Sequence, residues 1–182
     1  MIMPPGLRKF ALAAHVVSSV GSLGAVAVFL VLAVAGLNLA DASVVRAAYL
    51  AMELIAWVAI LPLVVAALLT GLVQSLGTTW GLFRHYWVLI KLLLTILTLV
   101  VLMLQLEGIG TVADAAATSL SGADLRGARI SLVVHAAGGL LVLLAAAVLS
   151  VYKPRGLTRY GWRKQHAARA SSPVYGKACP RA

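Results

Sequence analysis

FALAAHVVSSVGSLGAVAVFLVLAVAGL, residues 10–37, carries one ionisable side chain, His15, in an otherwise apolar or small-residue run. At 1.5 Å per residue such a run exceeds the ~20 residues that cross the hydrocarbon core of a bilayer. Its apolar stretch is about twice the usual 7–15 residues of a cleaved signal sequence, so it reads as a retained helix despite the basic pair Arg8 and Lys9 before it. Three further runs follow, at about 44–71 with Pro62 inside, about 86–106 and about 130–152. None alternates with a period of two, which excludes a membrane barrel. The remaining way to satisfy every backbone group in lipid is the helix. The chain therefore reads as an all-α, four-helix transmembrane bundle over residues 1–152, followed by a basic tail over 153–182.

Composition agrees. The chain is 62% hydrophobic and 11% charged, with a mean hydropathy of +1.01. A soluble domain of this size needs more charge to cover its surface. The net charge of +10 is sorted by position. Of the 15 Lys and Arg, only Arg46, Arg126 and Arg129 fall on the side of the first and third connections, with the acidic residues Asp41, Glu107, Asp114 and Asp124; the rest flank the other ends of the runs. Basic residues are retained on the cytoplasmic side, which places both termini inside and the protein in a bacterial inner membrane. Tyr86, Trp80, Trp87, Tyr152, Tyr160 and Trp162 cluster at the same boundary, as an interfacial aromatic belt does. Clustering beside apolar runs assigns this charge to topology and to anionic inner-leaflet lipids rather than to nucleic acid. Lys153, Arg155, Arg159, Arg163 and Lys164 are expected to lie along that leaflet, and the last dozen residues to be disordered. A single cysteine, Cys179, excludes an internal disulfide and a cysteine metal cluster.

Between the runs, residues 107–129 read as the longest connection, rich in Ala, Gly, Ser and Thr. Asp41 or Ser43 is placed to cap the second helix, and Ser121 or Asp124 the fourth.

Ionisable groups inside a bilayer are costly and are functional candidates for that reason. They are His15, Glu53, Lys91 and His135, with His85 at an edge. Ser18, Ser19 and Ser22 follow His15 on one helical face and form a small polar seam suited to helix packing. Glu53 and His135 stand at similar depth below the outer boundary and form a candidate pair. Lys91, Thr95, Thr98 and Gln105 trace one face of the third helix, with Lys91 able to snorkel and the threonines able to bond back to their own helix. A b-type haem needs two imidazoles at one depth. His15 and His135 are roughly 15 Å apart along the normal, which leaves His15 with His85 as the easier pair for haem or a transition metal. No nucleophile elbow, phosphate loop or metalloprotease helix is present, so no catalysis is expected.

The segment from Leu68 to Val88 (LLTGLVQSLGTTWGLFRHYWV), the opening HVVSSVG at 15–21 and the ending YKPRGLT at 152–158 resemble a family of small four-span inner-membrane proteins of actinobacterial type, of unassigned function. The resemblance covers about residues 8–165 and implies the four-span topology without supplying a reaction. A more distant likeness, in helical layout and scattered histidines, is to the membrane domain of copper-resistance D proteins. Met-rich copper ligands are absent, since two of the four Met stand at positions 1 and 3. Three functions stay open: a non-catalytic holder of a small ligand, metal ion or proton; an accessory subunit packing on a membrane-protein partner or on its own copies; and a haem protein.

Overall fold

The computed structural model describes residues 3–77, 82–118, 125–152, 154 and 156–170, with backbone alone for 164, 165 and 167–170. Every long element in it is helical: α1 (Pro5–Asn38), α2 (Ala42–Ile55), α3 (Leu61–Gly77), α4 (Tyr86–Thr118), α5 (Leu125–Tyr152) and the short α6 (Arg159–Ala170). α2 and α3 are two halves of one rod, joined by a π-helical turn over Ala56–Ile60 in which Leu61 N–H reaches back to the Ala56 carbonyl. The resulting four rods of 34, 36, 33 and 28 residues are each long and apolar enough to cross a membrane.

Local chemistry sets several helix ends. Pro5 begins α1, where its missing N–H costs nothing and its fixed φ suits the helix. Asp41 caps α2, its Oδ1 accepting from Ser43 N at 2.8 Å and Val44 N at 3.4 Å, and from the Ser43 hydroxyl at 2.6 Å. The Ser43 hydroxyl first, then the two amides, hold the Asp41 carboxyl below its ordinary value of 3.8. A depressed folded pKa makes this cap complete above the unfolded value and lost as pH falls through the folded one. The amide resonances of Ser43 and Val44 are therefore expected to titrate with a midpoint below 3.8, and to stay put in Asp41→Asn, which keeps an acceptor but cannot protonate there. A wild-type midpoint at or above 3.8 would contradict the cap.

α1 packs against the α2–α3 rod and α5, and α4 packs against the same two. The rods thus form a closed ring in chain order, with α1 and α4 on one diagonal. Tight packing is concentrated toward the end where α1 meets α2 and α4 meets α5. There Phe29 and Ala33 of α1, Tyr49 and Met52 of α2, Val112 and Ala116 of α4, and Leu132 of α5 form one buried cluster. Tyr49 lies against Gly36, where an added Cβ would stand 2.7 Å from the ring, and Arg129 covers its face with Cζ 5.3 Å from the centroid. In lipid, apolar surface gains nothing by leaving the solvent, so close approach of this kind carries helix association. Toward the other end, α4 before Leu106 and α5 after Ala136 bury none of their described side chains, and the rods part around a cavity. Val17, Val31, Leu69, Leu104, Leu141 and Val151 are among the many large apolar residues on the outer surface, which suits lipid rather than water.

The third and fourth runs are longer than their hydropathy suggests. The stretch 107–129, read above as a connection, is helix up to Thr118 and again from Leu125. Leu106, Ile109, Val112, Ala113 and Ala116 recur at helical spacing and are all buried, so the small residues between them let α4 continue alongside α2. The Arg46 guanidinium donates to the Ala117 carbonyl in the last turn of α4, where a cation also meets the negative end of the helix dipole. The capping candidates Ser121 and Asp124, Trp80 of the aromatic belt, and the last dozen residues lie outside the described residues.

Candidate ligand cavity at the basic end

At the end of the bundle holding the N-terminus, the α3–α4 connection and α6, a cavity of about 540 Å³ opens between the rods. α1 contributes Arg8, Leu12, His15 and Val16, which recur at i, i+4, i+7 and i+8 and so share one face. α4 contributes Trp87, Val88, Lys91, Leu92 and Thr95 on the same helical logic, α3 contributes Gly71, Gln74 and Ser75, and α5 contributes Ser150. A volume of this size suits one small molecule, and a mostly apolar wall with a few convergent polar groups is the usual make-up of such sites.

His15 is held by a neighbour rather than by its own helix. Its Nδ1 lies 3.0 Å from the Ala67 carbonyl and 3.2 Å from Thr70 Oγ1. A carbonyl can only accept, so Nδ1 carries the proton and Nε2 is left as the acceptor and ligating atom. Nε2 has no hydrogen-bond partner among the described residues. Thr70 passes its own proton to the Ala66 carbonyl at 2.6 Å, which leaves its oxygen free to receive from the imidazole. Gly71 makes room for the ring: a Cβ there would stand 3.1 Å from His15 Cε1. Beside it, Gln74 Nε2 donates to the Ala11 carbonyl at 2.8 Å and ties α3 to α1. Across the cavity, Lys91 Nζ donates to Ser150 Oγ, so α4 and α5 are tied in the same layer.

The remaining sequence candidates divide clearly. Ser18 and Ser22 are buried in the α1 seam, and their hydroxyls donate to the Ala14 carbonyl at 2.8 Å and the Ser19 carbonyl at 2.9 Å of their own helix. Ser19 is half-buried on the same seam. The seam packs helices: the neighbouring Gly21 admits Leu63, 3.3 Å from where a Cβ would lie. Thr95 and Thr98 likewise bond back to the Lys91 and Leu94 carbonyls at 2.9 Å.

The structure does not join Glu53 to His135. Glu53 faces α4, with Oε1 3.7 Å from where a Cβ on Gly110 would be. His135 is exposed on α5 and turns its Nδ1 to the Ser131 carbonyl of its own helix at 2.8 Å. The two side chains point to different neighbours. His85 is also apart from His15. It sits in the α3–α4 connection, bridged to Leu157, with its ring 6.4 Å from Trp87, and does not line the cavity. Among the described residues no three His, Cys, Asp or Glu side chains gather as a metal site.

The tail is more ordered near the bundle than its composition suggests. Thr158 N donates to the Arg84 carbonyl at 3.0 Å, and Tyr86 N to the Gly156 carbonyl at 3.3 Å. The buried Thr158 hydroxyl donates to the Phe83 carbonyl and receives Gly161 N at 3.1 Å, so it caps α6 while anchoring it. α6 is thereby stapled to the α3–α4 connection, next to Trp87 in the cavity wall. Arg159, Tyr160, Trp162 and Arg163 are exposed on it, and Trp162 stacks on His166 with centroids 4.0 Å apart. Lys153, Arg155 and the Lys164 side chain lie outside the described residues. The residues missed from sequence are Arg8, Gly71 and Gln74 in the cavity and Thr158 and Gly161 in the staple. A threonine immediately before a helical stretch, a favoured N-cap residue, was the available signal for Thr158.

No family model matches the chain, and neither does any curated protein or solved structure.

Proposed function

We propose that this protein is a multi-pass membrane protein of the bacterial inner membrane, with both termini in the cytoplasm, which holds a small ligand in the basic-end cavity and performs no chemistry of its own. The single observation behind this reading is that the two intramembrane groups His15 and Lys91, read independently from sequence, line the same cavity. The Ala67 carbonyl sets the imidazole so that an acceptor nitrogen is available there. Ionisable groups at membrane depth are costly and for that reason mark functional candidates. Orientation rests on the sorting of Lys and Arg along the sequence, which are retained on the cytoplasmic side.

Native mass spectrometry of the protein in mild detergent tests the reading. A small-molecule adduct is expected on the wild type, lost in His15→Ala and in Gly71→Leu, which drives a side chain into the space now used by the ring and the cavity. It is expected to persist in His135→Ala, because that imidazole faces outward. Absence of any adduct, or an adduct insensitive to all three changes, would refute the proposal. An absorption spectrum on the same material gives the ligand's type: a Soret band lost in His15→Ala identifies it as haem, with one axial ligand supplied by this chain.

A further inference from the structure

The described wall of the cavity carries positive charge. Arg8 and Lys91 both line the space with His15, and no Asp or Glu is among the described lining residues. The chain has five Asp and Glu. Asp41, Glu53, Glu107 and Asp114 are on the parts of α2 and α4 nearest the opposite end, and Asp124 falls in the connection between α4 and α5. Gln74, Ser75, Thr95 and Ser150 add polar groups, and the remainder of the described wall is apolar, with Leu12, Val16, Leu68 and Leu92 among it. A site that joins cations to a hydrocarbon wall matches a molecule with the same division.

Taking the ligand-holding reading above as its basis, we infer that the cavity's ligand is an anionic amphiphile, its oxyanion head set between Arg8 and Lys91 and its apolar chain packed on the apolar wall residues of α1, α3 and α4. Arg8 is exposed at the mouth and supplies a forked donor suited to carboxylate or phosphate oxygens. Lys91 supplies a point charge in the wall, held by its hydrogen bond to Ser150 Oγ. Both a free fatty acid and the phosphate head of an inner-leaflet lipid have this chemistry.

Trp87, in the wall, reports on occupancy once Trp57, Trp80 and Trp162 are replaced by Phe. The full-length single-tryptophan protein is titrated in detergent with a chain-brominated hexadecanoate, its methyl ester and the corresponding primary amine. In nanodiscs, brominated phosphatidylglycerol is compared with brominated phosphatidylcholine. Saturable quenching by the acid, displaced by unbrominated acid, is expected, with binding about tenfold or more weaker in Lys91→Met or Arg8→Gln, and recovered in Lys91→Arg. The ester is expected to bind weakly and to ignore these changes. If instead quenching in nanodiscs favours phosphatidylglycerol over phosphatidylcholine and free acid does not saturate, the inference holds with a lipid as its source. Equal binding of acid, ester and amine overturns the anionic assignment while leaving a ligand cavity in place. No saturable quenching by any probe overturns it too, and the mass-spectrometric adduct then decides the ligand-holding reading separately. Arg8→Gln lies at an exposed position, so it keeps the test usable should Lys91→Met fail to fold.

Discussion

Deleting Leu69 is expected to unfold the basic end of the bundle, whereas deleting Val58, eleven positions earlier and equally exposed to lipid, is expected to leave the protein folded. The difference comes from the π turn. Met52, Ala56, Ile60 and Val64 are each at most 3% exposed, yet each is four residues from the next. In a plain α-helix at about 100° per residue, every four-residue step gains about 40°, so three steps turn the buried face by about 120°. The wider turn at Ala56–Ile60 contains one residue more than an α-helical turn needs and takes up about 100° of that drift. Without Val58 the interval from Met52 to Val64 is one residue shorter, and a straight α-helix returns to within about 20° of the same face. Val58 is 68% exposed, so its side chain gives up no packing. Leu69 is 56% exposed but sits in regular α-helix. Its removal turns Gly71, Gln74 and Ser75 by about 100° against Val64 and Ala67. The Gln74 bond to Ala11 is then lost, and the space that Gly71 leaves for the His15 ring is filled by another side chain. We expect a loss on the order of 4–5 kcal/mol for the Leu69 deletion, the range of severe single changes, or a fall of more than about 10 °C in Tm. For the Val58 deletion the fall is within about 3 °C on the same scale. Thermal unfolding in detergent separates them, and equal damage from both deletions would show that the π turn is not a spare residue.

The division between what could and could not be read beforehand follows the dimension each signal measures. Hydropathy and charge report position along the membrane normal, and at that level the four rods and their sorted ends were legible. They report nothing about rotation around each rod. Glu53 and His135 were matched in depth, and the structure turns one toward Gly110 and the other outward to its own Ser131 carbonyl. His15 and Lys91 were noticed separately, because their meeting depends on α3, α4 and α5 closing a ring with α1, and neither pattern encodes which rods are neighbours. The extension of α4 to Thr118 was within reach, since Leu106, Ile109, Val112 and Ala116 have helical spacing. The Gly, Thr and Ala residues between those sites resemble loop composition, and the resemblance prevailed. The π turn was hidden in the same way: four-residue spacing from Met52 to Val64 looks like ordinary amphipathicity until its drift is added up.

Gly161→Ala is expected to release α6 from the bundle. A Cβ at this position would fall on the Arg84 carbonyl oxygen and lie 3.1 Å from the Arg84 Cα and 3.2 Å from its carbonyl carbon. All three are backbone atoms, so no side chain can swing aside to admit the methyl group. The Arg84 carbonyl also cannot retreat without cost, because it accepts from Thr158 N at 3.0 Å and the adjacent Phe83 carbonyl accepts the Thr158 hydroxyl. Glycine is required here for space, since Gly161 lies inside the helical stretch Arg159–Ala170. Overpacking of this sort costs about 2 kcal/mol, which is roughly thirtyfold in the equilibrium for local opening. Global stability is expected to change little, because the staple lies at the end of the bundle and the buried cluster around Tyr49 and Met52 is remote from it. The measurement is the rate of tryptic cleavage after Arg159 and Arg163, together with hydrogen exchange at the Thr158 and Tyr86 amides. Both should rise by about that thirtyfold factor in Gly161→Ala, and by a smaller factor in Thr158→Ser, which retains the hydroxyl bonds and loses only a methyl contact. Exchange at Met52, in the centre of the cluster, should be unaltered. If Gly161→Ala cleaves and exchanges at the wild-type rate, α6 is not anchored through this contact. The apposition of Gly161 and Arg84 would then be incidental to how the tail is held beside the cavity.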